Sequence, residues 1–185
     1  MLICWSVTPL LSTRGATRPT LRVITDTRRP VAHTQRVSAE EPRRVSPGGP
    51  LSAKMSTLPR RDTAPEVALR RELHRRGLRY RVQLKVPGNN RRTIDIAFTR
   101  ARLAVYVDGC FWHGCPDHGA RPRTNSDWWA WKIQRNQDRD QDTDAQLQRA
   151  GWEVVRIWEH EDVGSAADLI AAVRSKRLSA GPGGV

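Results

Sequence analysis

An α/β domain is the fold that the sequence predicts, with elements running helix, strand, strand, strand, helix, strand, helix (αβββαβα). Three observations predict it. Short apolar and β-branched runs recur at residues 80–84, 93–98, 103–107 and 152–158, each bounded by turn residues. Residues 126–150 hold apolar groups at spacings of three and four and end on Gly151. Helix-start signals stand at Thr63 and Ser165, before and after the strands.

The first helix opens at Thr63-Ala64-Pro65-Glu66. Thr63 can cap it, Pro65 suits the first turn, and Glu66 stands three after Thr63 as in a capping box. Val67, Leu69 and Leu73 supply its apolar face, Gly77 stops it, and Arg70, Arg71, Arg75 and Arg76 make much of the rest basic. Tyr80 to Leu84 alternates as a strand, Pro87 to Arg92 is a turn, and Thr93 to Phe98 is a second strand. A polar hairpin connection, Thr99 to Arg102, leads into Leu103 to Val107, which is nearly all apolar and so central. Gly119 to Asn125 reads as a basic loop. The long helix starts near Ser126 as N-cap, and one face carries Trp129, Ile133, Asn136, Asp140, Thr143 and Leu147. Trp152 to Trp158 is the fourth strand, and Ser165 caps a last helix to about Leu178.

For 185 residues one domain is the natural count, with some chain to spare. Residues 1–54 are rich in Arg, Pro, Ser and Thr without a lasting hydrophobic period, and predict a disordered basic extension. The domain is expected over 55–178, with 179–185 as a loose tail. Met55 begins a different kind of sequence and reads as the natural start; the other reading is a basic arm that binds DNA non-specifically. The net charge of +13 points to a polyanion partner, most often nucleic acid. Residues 1–54 carry nine Lys/Arg against three Asp/Glu and the remainder 23 against 16, so the domain is basic in its own right. No apolar run approaches a membrane span, and the first dozen residues lack the basic region of a signal peptide. Cys4, Cys110 and Cys115 make no disulfide framework; the close pair beside His predicts metal binding in a reducing, cytoplasmic compartment.

Chemistry concentrates in Val105 to His118, VYVDGCFWHGCPDH. Two Cys and two His within nine residues suit a metal site better than they suit hydrophobic burial. Cys110, Cys115 and His118 offer three zinc ligands from one loop, and His160 at the end of the fourth strand offers a fourth. Four protein ligands make a closed, structural Zn²⁺ site. Spacing alone leaves open whether His113 or His118 is the ligand, and His160 depends on the fold bringing it near. The residue not on zinc stands where a general acid or base is wanted. Asp95 interrupts the apolar strand TIDIAF and Asp108 directly follows LAVYV. Two adjacent strands thus end near two carboxylates, which is how a hard cation such as Mg²⁺ is held near phosphate. Asn136 and Asp140 lie on the apolar face of the long helix and point to the domain, although Asp140 also belongs to the charge run QDRDQDTD. Capping explains Glu66 fully. Six of the seven Trp fall between Trp112 and Trp158, and no one helical face can bury Trp128, Trp129 and Trp131 together. With Phe111 and Trp112 they form either a Trp-rich core or an aromatic wedge that stacks on bases.

The segments RRDTAPE (60–66), RYRVQ (79–83), IDIAF (94–98), VDGCFWHGCPDH (107–118), WKIQRNQDRD (131–140) and GWEVVRIWEHE (151–161) resemble, in this order, the very short patch repair (Vsr) DNA mismatch endonucleases. The resemblance covers about residues 58–162. It implies a restriction-endonuclease-like core, a mixed sheet flanked by helices, and Mg²⁺-dependent nicking of one DNA strand 5′ to the T of a T:G mismatch left by 5-methylcytosine deamination. By motif position it implies Asp95 and the backbone carbonyl of Val107 as Mg²⁺ contacts and His113 as general acid–base. It makes Asp140 the supporting carboxylate; Asp108 and Glu66 are counted with Asp95, His113 and Asp140 as catalytic candidates. Cys110, Cys115, His118 and His160 fall at structural Zn²⁺ positions, and Phe111, Trp112 and Trp129 match aromatics that intercalate beside the mismatch. Some members have Thr at the place of Val107, His at that of Asp108 and Cys at that of His160. The expectation is a cytoplasmic, nucleoid-associated monomer acting on mismatched double-stranded DNA, with no membrane partner and a functional link to a cytosine-5 DNA methyltransferase. The basic helix 65–76 and the loop around Arg121 and Arg123 are expected to track phosphates. The rivals are a general or restriction-type nuclease on the same core and a non-catalytic, zinc-stabilised DNA-binding module. A redox or zinc-storage role suits the single-loop Cys spacing poorly.

Overall fold

Leu103, Ala104 and Val105 are each wholly buried, so the strand they form has protein on both faces and belongs in the middle of a sheet. It lies there in the computed structural model, which describes residues 22–24, 40–45, 61–119 and 122–180. The elements are β1 (Arg22–Ile24), α1 (Ala64–Arg75), β2 (Arg81–Val86), β3 (Asn89–Phe98), β4 (Leu103–Asp108), α2 (Cys110–His113), α3 (Ser126–Arg149), β5 (Glu153–Trp158) and α4 (Val163–Ser179). Sheet order is β1-β5-β4-β3-β2. Tight turns make β2, β3 and β4 antiparallel neighbours, whereas α3 carries the chain across so that β5 runs parallel to β4. The mixed α/β fold is as expected. To the order αβββαβα it adds the one-turn helix α2 and, at the edge of β5, the antiparallel β1.

Both faces of the sheet are covered. Leu69 and Leu73 of α1 and Ala166, Ala167 and Ile170 of α4 pack on Ile96, Phe98, Val105 and Val155. Leu147 of α3 packs on the other face with Ile94, Ala97, Ala104 and Val154. Cutting a wholly buried leucine such as Leu147 to Ala costs about 2–5 kcal/mol.

Several local expectations are corrected. The β2–β3 turn is Pro87-Gly88 alone, because Pro presets φ and Gly88 takes φ +76°; Asn89 to Arg92 already belong to β3. Asn125, at φ +57°, is the N-cap of α3 and Ser126 is its first residue. Asp162 rather than Ser165 caps α4, accepting from the Ser165 N–H at 2.8 Å, where a carboxylate suits the positive helix end. At α1, Glu66 reaches back as a capping-box residue does. It accepts from Thr63 Oγ1 at 3.0 Å and from the Asp62 rather than the Thr63 N–H, at 3.1 Å. Gly77 ends α1 at φ +76°: its own N–H bonds the His74 carbonyl and the Leu78 N–H bonds that of Leu73.

Residues 40–45 dock on the start of α3. Trp128 Nε1 donates to Glu41 Oε1 at 2.8 Å, and the Arg44 guanidinium lies 4.2 Å from the Trp128 ring centroid. The Asn125 side chain brackets Val45, accepting from its N–H at 3.0 Å and donating to its carbonyl at 3.2 Å. Met55, Arg121, residues 46–54 of the expected extension and residues 181–185 of the expected tail lie outside the described residues. Among the described residues no helix is long and apolar enough to cross a membrane.

Candidate active site

Strand β4 delivers the site. Beyond Asp108 the chain turns through Gly109 into α2, which ends at Gly114 with φ +66°. A side chain at Gly114 would meet Gln137 Nε2 at 2.8 Å and Ile133 at 3.0 Å, so glycine lets α2 lie against α3. Asn136 and Gln137 fasten it there, donating to the carbonyls of Trp112 and His113 at 2.9 and 3.0 Å. The other end is tied to β5 by Glu159, whose Oε1 accepts from the Cys110 N–H at 2.7 Å.

One side of this loop gathers Cys110, Cys115, His118 and His160, whose ligand atoms all lie within 4.8 Å of one another. The Cys110 Sγ to His160 Nδ1 distance is 3.0 Å, and Cys115 Sγ lies 3.8 Å from His160 Nδ1 and 3.9 Å from His118 Nδ1. Tetrahedral zinc with its usual bond lengths sets its ligands roughly 3.5 Å apart, so the donors fit that ion in type, number and spacing. Burial, then the neighbouring Cys115 and Glu159, push the Cys110 thiol up to about 12, as expected of thiols grouped for a cation. His118 is in this cluster and His113 is not.

On the other side, His113 Nδ1 lies 2.6 Å from Asp140 Oδ2 and 3.7 Å from Asp108 Oδ1. Burial pulls the imidazole down, but the Asp140 hydrogen bond and the Asp108 charge outweigh it and the net shift is upward. Asp140 moves the opposite way: burial raises it, and His113 and Arg156 bring it below the usual carboxylate range. Asp95 shares the sheet face of Ala97, beneath α3, and its Oδ2 accepts from the Val107 N–H at 3.1 Å. Burial pushes its carboxyl up to about 6, with the Glu66 and Asp108 charges adding and the Val107 N–H opposing. A buried oxygen donor short of positive charge, beside the end of a strand, fits a hard divalent cation. Glu66 is 5% exposed and is held by Arg70 at 2.6 Å as well as by its capping contacts.

Two residues of the site had not been singled out, Arg156 and Asp144. The Arg156 side chain, only 10% exposed, donates through Nη1 to both oxygens of Asp108 at 2.7 and 2.9 Å. Through Nε and Nη2 it holds Asp144 at 3.0 Å, and its guanidinium lies 4.7 Å from the Tyr106 ring centroid. Each carried a sequence signal: Arg156 is a lone charge inside an apolar strand, and Asp144 is one helical turn after Asp140.

Phe111, Trp112 and Trp129 form one half-buried cluster with ring centroids 5.0–6.0 Å apart, and Trp128 joins it at 4.7 Å from Trp129. Trp128 itself is buried, under residues 40–45. The basic face of α1 is less open than its composition suggests, since Arg70, Arg75 and Arg76 are paired with Glu66, Glu72 and Asp168; Arg71 is exposed.

A family described as "DNA mismatch endonuclease Vsr" matches residues 50–118. The type II nicking enzyme V.NaeI of Lentzea aerocolonigenes is 44% identical over 124 residues, covering 66% of this chain and 73% of the relative. V.XorIIP of Xanthomonas oryzae, also named a type II nicking enzyme, is 42% identical, with 55% and 73% covered. The DNA mismatch endonuclease Vsr of Escherichia coli K12 is 34% identical, with 58% and 68% covered.

Proposed function

From the premise that this chain belongs to the Vsr family of DNA endonucleases, with DNA as its substrate, we propose that it nicks one strand of duplex DNA 5′ to the T of a T:G mismatch. The carrying observation is the continuous contact from Asp95 through Val107 and Asp108 to the His113–Asp140 pair. Asp95 and the Val107 carbonyl would hold Mg²⁺, which when bound supplies Lewis-acid polarisation of the scissile phosphate. His113, its Nδ1 engaged by Asp140, moves a proton at Nε2. Asp140 fixes that tautomer and balances the imidazolium when it forms. Phe111, Trp112 and Trp129 stand together as a wedge for a base step, and a T:G wobble opens more easily than a normal pair. Cys110, Cys115, His118 and His160 would hold a structural Zn²⁺ that pins the loop to the end of β5. Deaminated 5-methylcytosine as the source of the mismatch would link the protein to a cytosine-5 DNA methyltransferase.

Two relatives are named type II nicking enzymes, and the second reading is a nicking enzyme without mismatch preference. Strand-labelled duplexes carrying T:G or T:A in varied contexts, with Mg²⁺ or chelator and beside Asp95→Ala, separate the two. The expected result is a Mg²⁺-dependent nick 5′ to the mismatched T, absent in the variant. Equal cutting of T:A duplex establishes the second reading instead, and tight binding without any nick leaves a DNA-binding module.

A further inference from the structure

Nothing in the proposed reaction so far uses Arg156. A guanidinium inside an apolar strand needs carboxylates to offset its desolvation, and three surround it. Asp108 takes two hydrogen bonds and Asp144 three, and Asp140 Oδ1 lies 3.6 Å from Nη2. Two of these same carboxylates flank His113 Nδ1, Asp140 at 2.6 Å and Asp108 at 3.7 Å. Arg156, Asp108, His113 and Asp140 therefore close a ring.

We propose that Arg156 is a positioning residue: its fork holds Asp108 and Asp140 on either side of His113 Nδ1, so that the imidazole presents Nε2 to the DNA. Without the guanidinium, Asp108, Asp140 and Asp144 are like charges crowded in a buried place, and one must take up a proton or turn away. A lysine does not substitute, because a point charge cannot bind Asp108 along one edge and Asp144 along another. The Tyr106 ring fixes the guanidinium plane. Asp108, with both oxygens bonded to Nη1, is a strut and not a proton carrier. The catalytic part of this inference rests on the nuclease reading; the positioning part does not.

Ring ¹⁵N NMR on the full chain, with the pH raised until the imidazole has lost its proton, reads the positioning without any reaction. His113 is expected as one species with Nδ1 hydrogen-bonded in the wild type, and as a mixture of tautomers in Arg156→Met. An unchanged His113 signal in that variant overturns the proposal, whether or not DNA is cut. With a nicked substrate, Arg156→Met is expected to lower kcat about 100-fold with KM unchanged. In a His113→Gln background it should lower the rate by less than about twofold more. Losses that multiply in the double variant overturn the inference, since Arg156 then acts elsewhere. Should Arg156→Met lose its cooperative melt, Asp144→Asn removes only the anchor on the far side of Arg156. The same mixed signal and a kcat loss of about tenfold are expected there; no change in either overturns the inference. A wild type that cuts nothing sinks the nuclease reading and leaves the NMR result to decide the positioning.

Discussion

The loop from Asp108 to His118 serves two clusters that are neutralised in opposite ways. On one side, Cys110, Cys115, His118 and His160 gather soft donors within 4.8 Å with no protein cation among them. Burial and the second thiol raise Cys110, and a metal bound here would supply the balancing charge. On the other, Asp108, Asp140 and Asp144 already have their cations in Arg156 and His113. That internal neutralisation leaves Asp95 as the carboxylate with too little positive charge around it. One side thus gathers metal-type donors; the other is balanced largely from within, by Arg156 and His113.

Breaking the first side should cost the fold. Cys115→Ser is expected to lose bound zinc and most of the domain's stability, itself about 5–15 kcal/mol for a protein of this kind. Melting curves beside zinc content check it, and an unshifted melt in a zinc-free variant would make the two clusters alike. Breaking the second side at Asp95 should cost chemistry and leave the fold intact. Asp95→Asn is expected to lower nicking on the order of a thousandfold, the rate equivalent of several kcal/mol. Its effect on stability has the opposite sign. A carboxyl at about 6 in the folded state holds its proton more tightly than in the unfolded chain, so stability falls as pH rises from the unfolded value through 6. At pH 8 in chelator the variant should exceed the wild type by about 1–3 kcal/mol, an advantage that vanishes below about pH 4. Urea melts at the two pH values decide this.

His113 tests the internal neutralisation more finely. Its pKa is raised in the folded state, so its contribution is fully present below its unfolded value and is lost as pH rises through the folded value. His113→Gln should therefore cost more stability near pH 6 than near pH 9. Equal costs at both would mean that the His113–Asp140 bond carries no ionic component.

What was legible in the sequence follows the same division. The soft cluster has three of its ligands within nine residues, so residue type and spacing found it. Asp95 was legible as a charge in an apolar strand. Arg156 is the same signal in WEVVRIW, but whether such a residue meets solvent depends on α3 lying over that face, a fact of tertiary structure. Asp144 was hidden in QDRDQDTD, where only the helical period separates it from its solvated neighbours. The N-cap of α3 lay beyond local rules, because the Asn125 side chain is held by Val45, eighty residues away. The docking of Glu41 and Arg44 on Trp128 likewise comes from a stretch with no hydrophobic period to read.

Glu159 is the strut common to both sides, and removing it gives the smallest and sharpest test. Its carboxylate holds the Cys110 N–H at 2.7 Å, at the point where the chain leaves the Asp108 side and enters the soft cluster. It contributes no donor to either cluster. If the two sides are independent, Glu159→Ala changes one of them at most. If the loop is a single rigid piece, both move: zinc affinity falls about tenfold, as when a group that orients a metal ligand is lost, and nicking falls by a small factor with it. Glu159→Gln keeps an acceptor for the Cys110 N–H and should restore most of both, because the hydrogen bond is what fixes the loop. Competition with a zinc-sensitive dye and single-turnover nicking on one preparation give the two numbers together. A fall in zinc affinity with nicking untouched would show that Asn136 and Gln137, clamping α2 from the other direction, hold His113 in place without help from the zinc side.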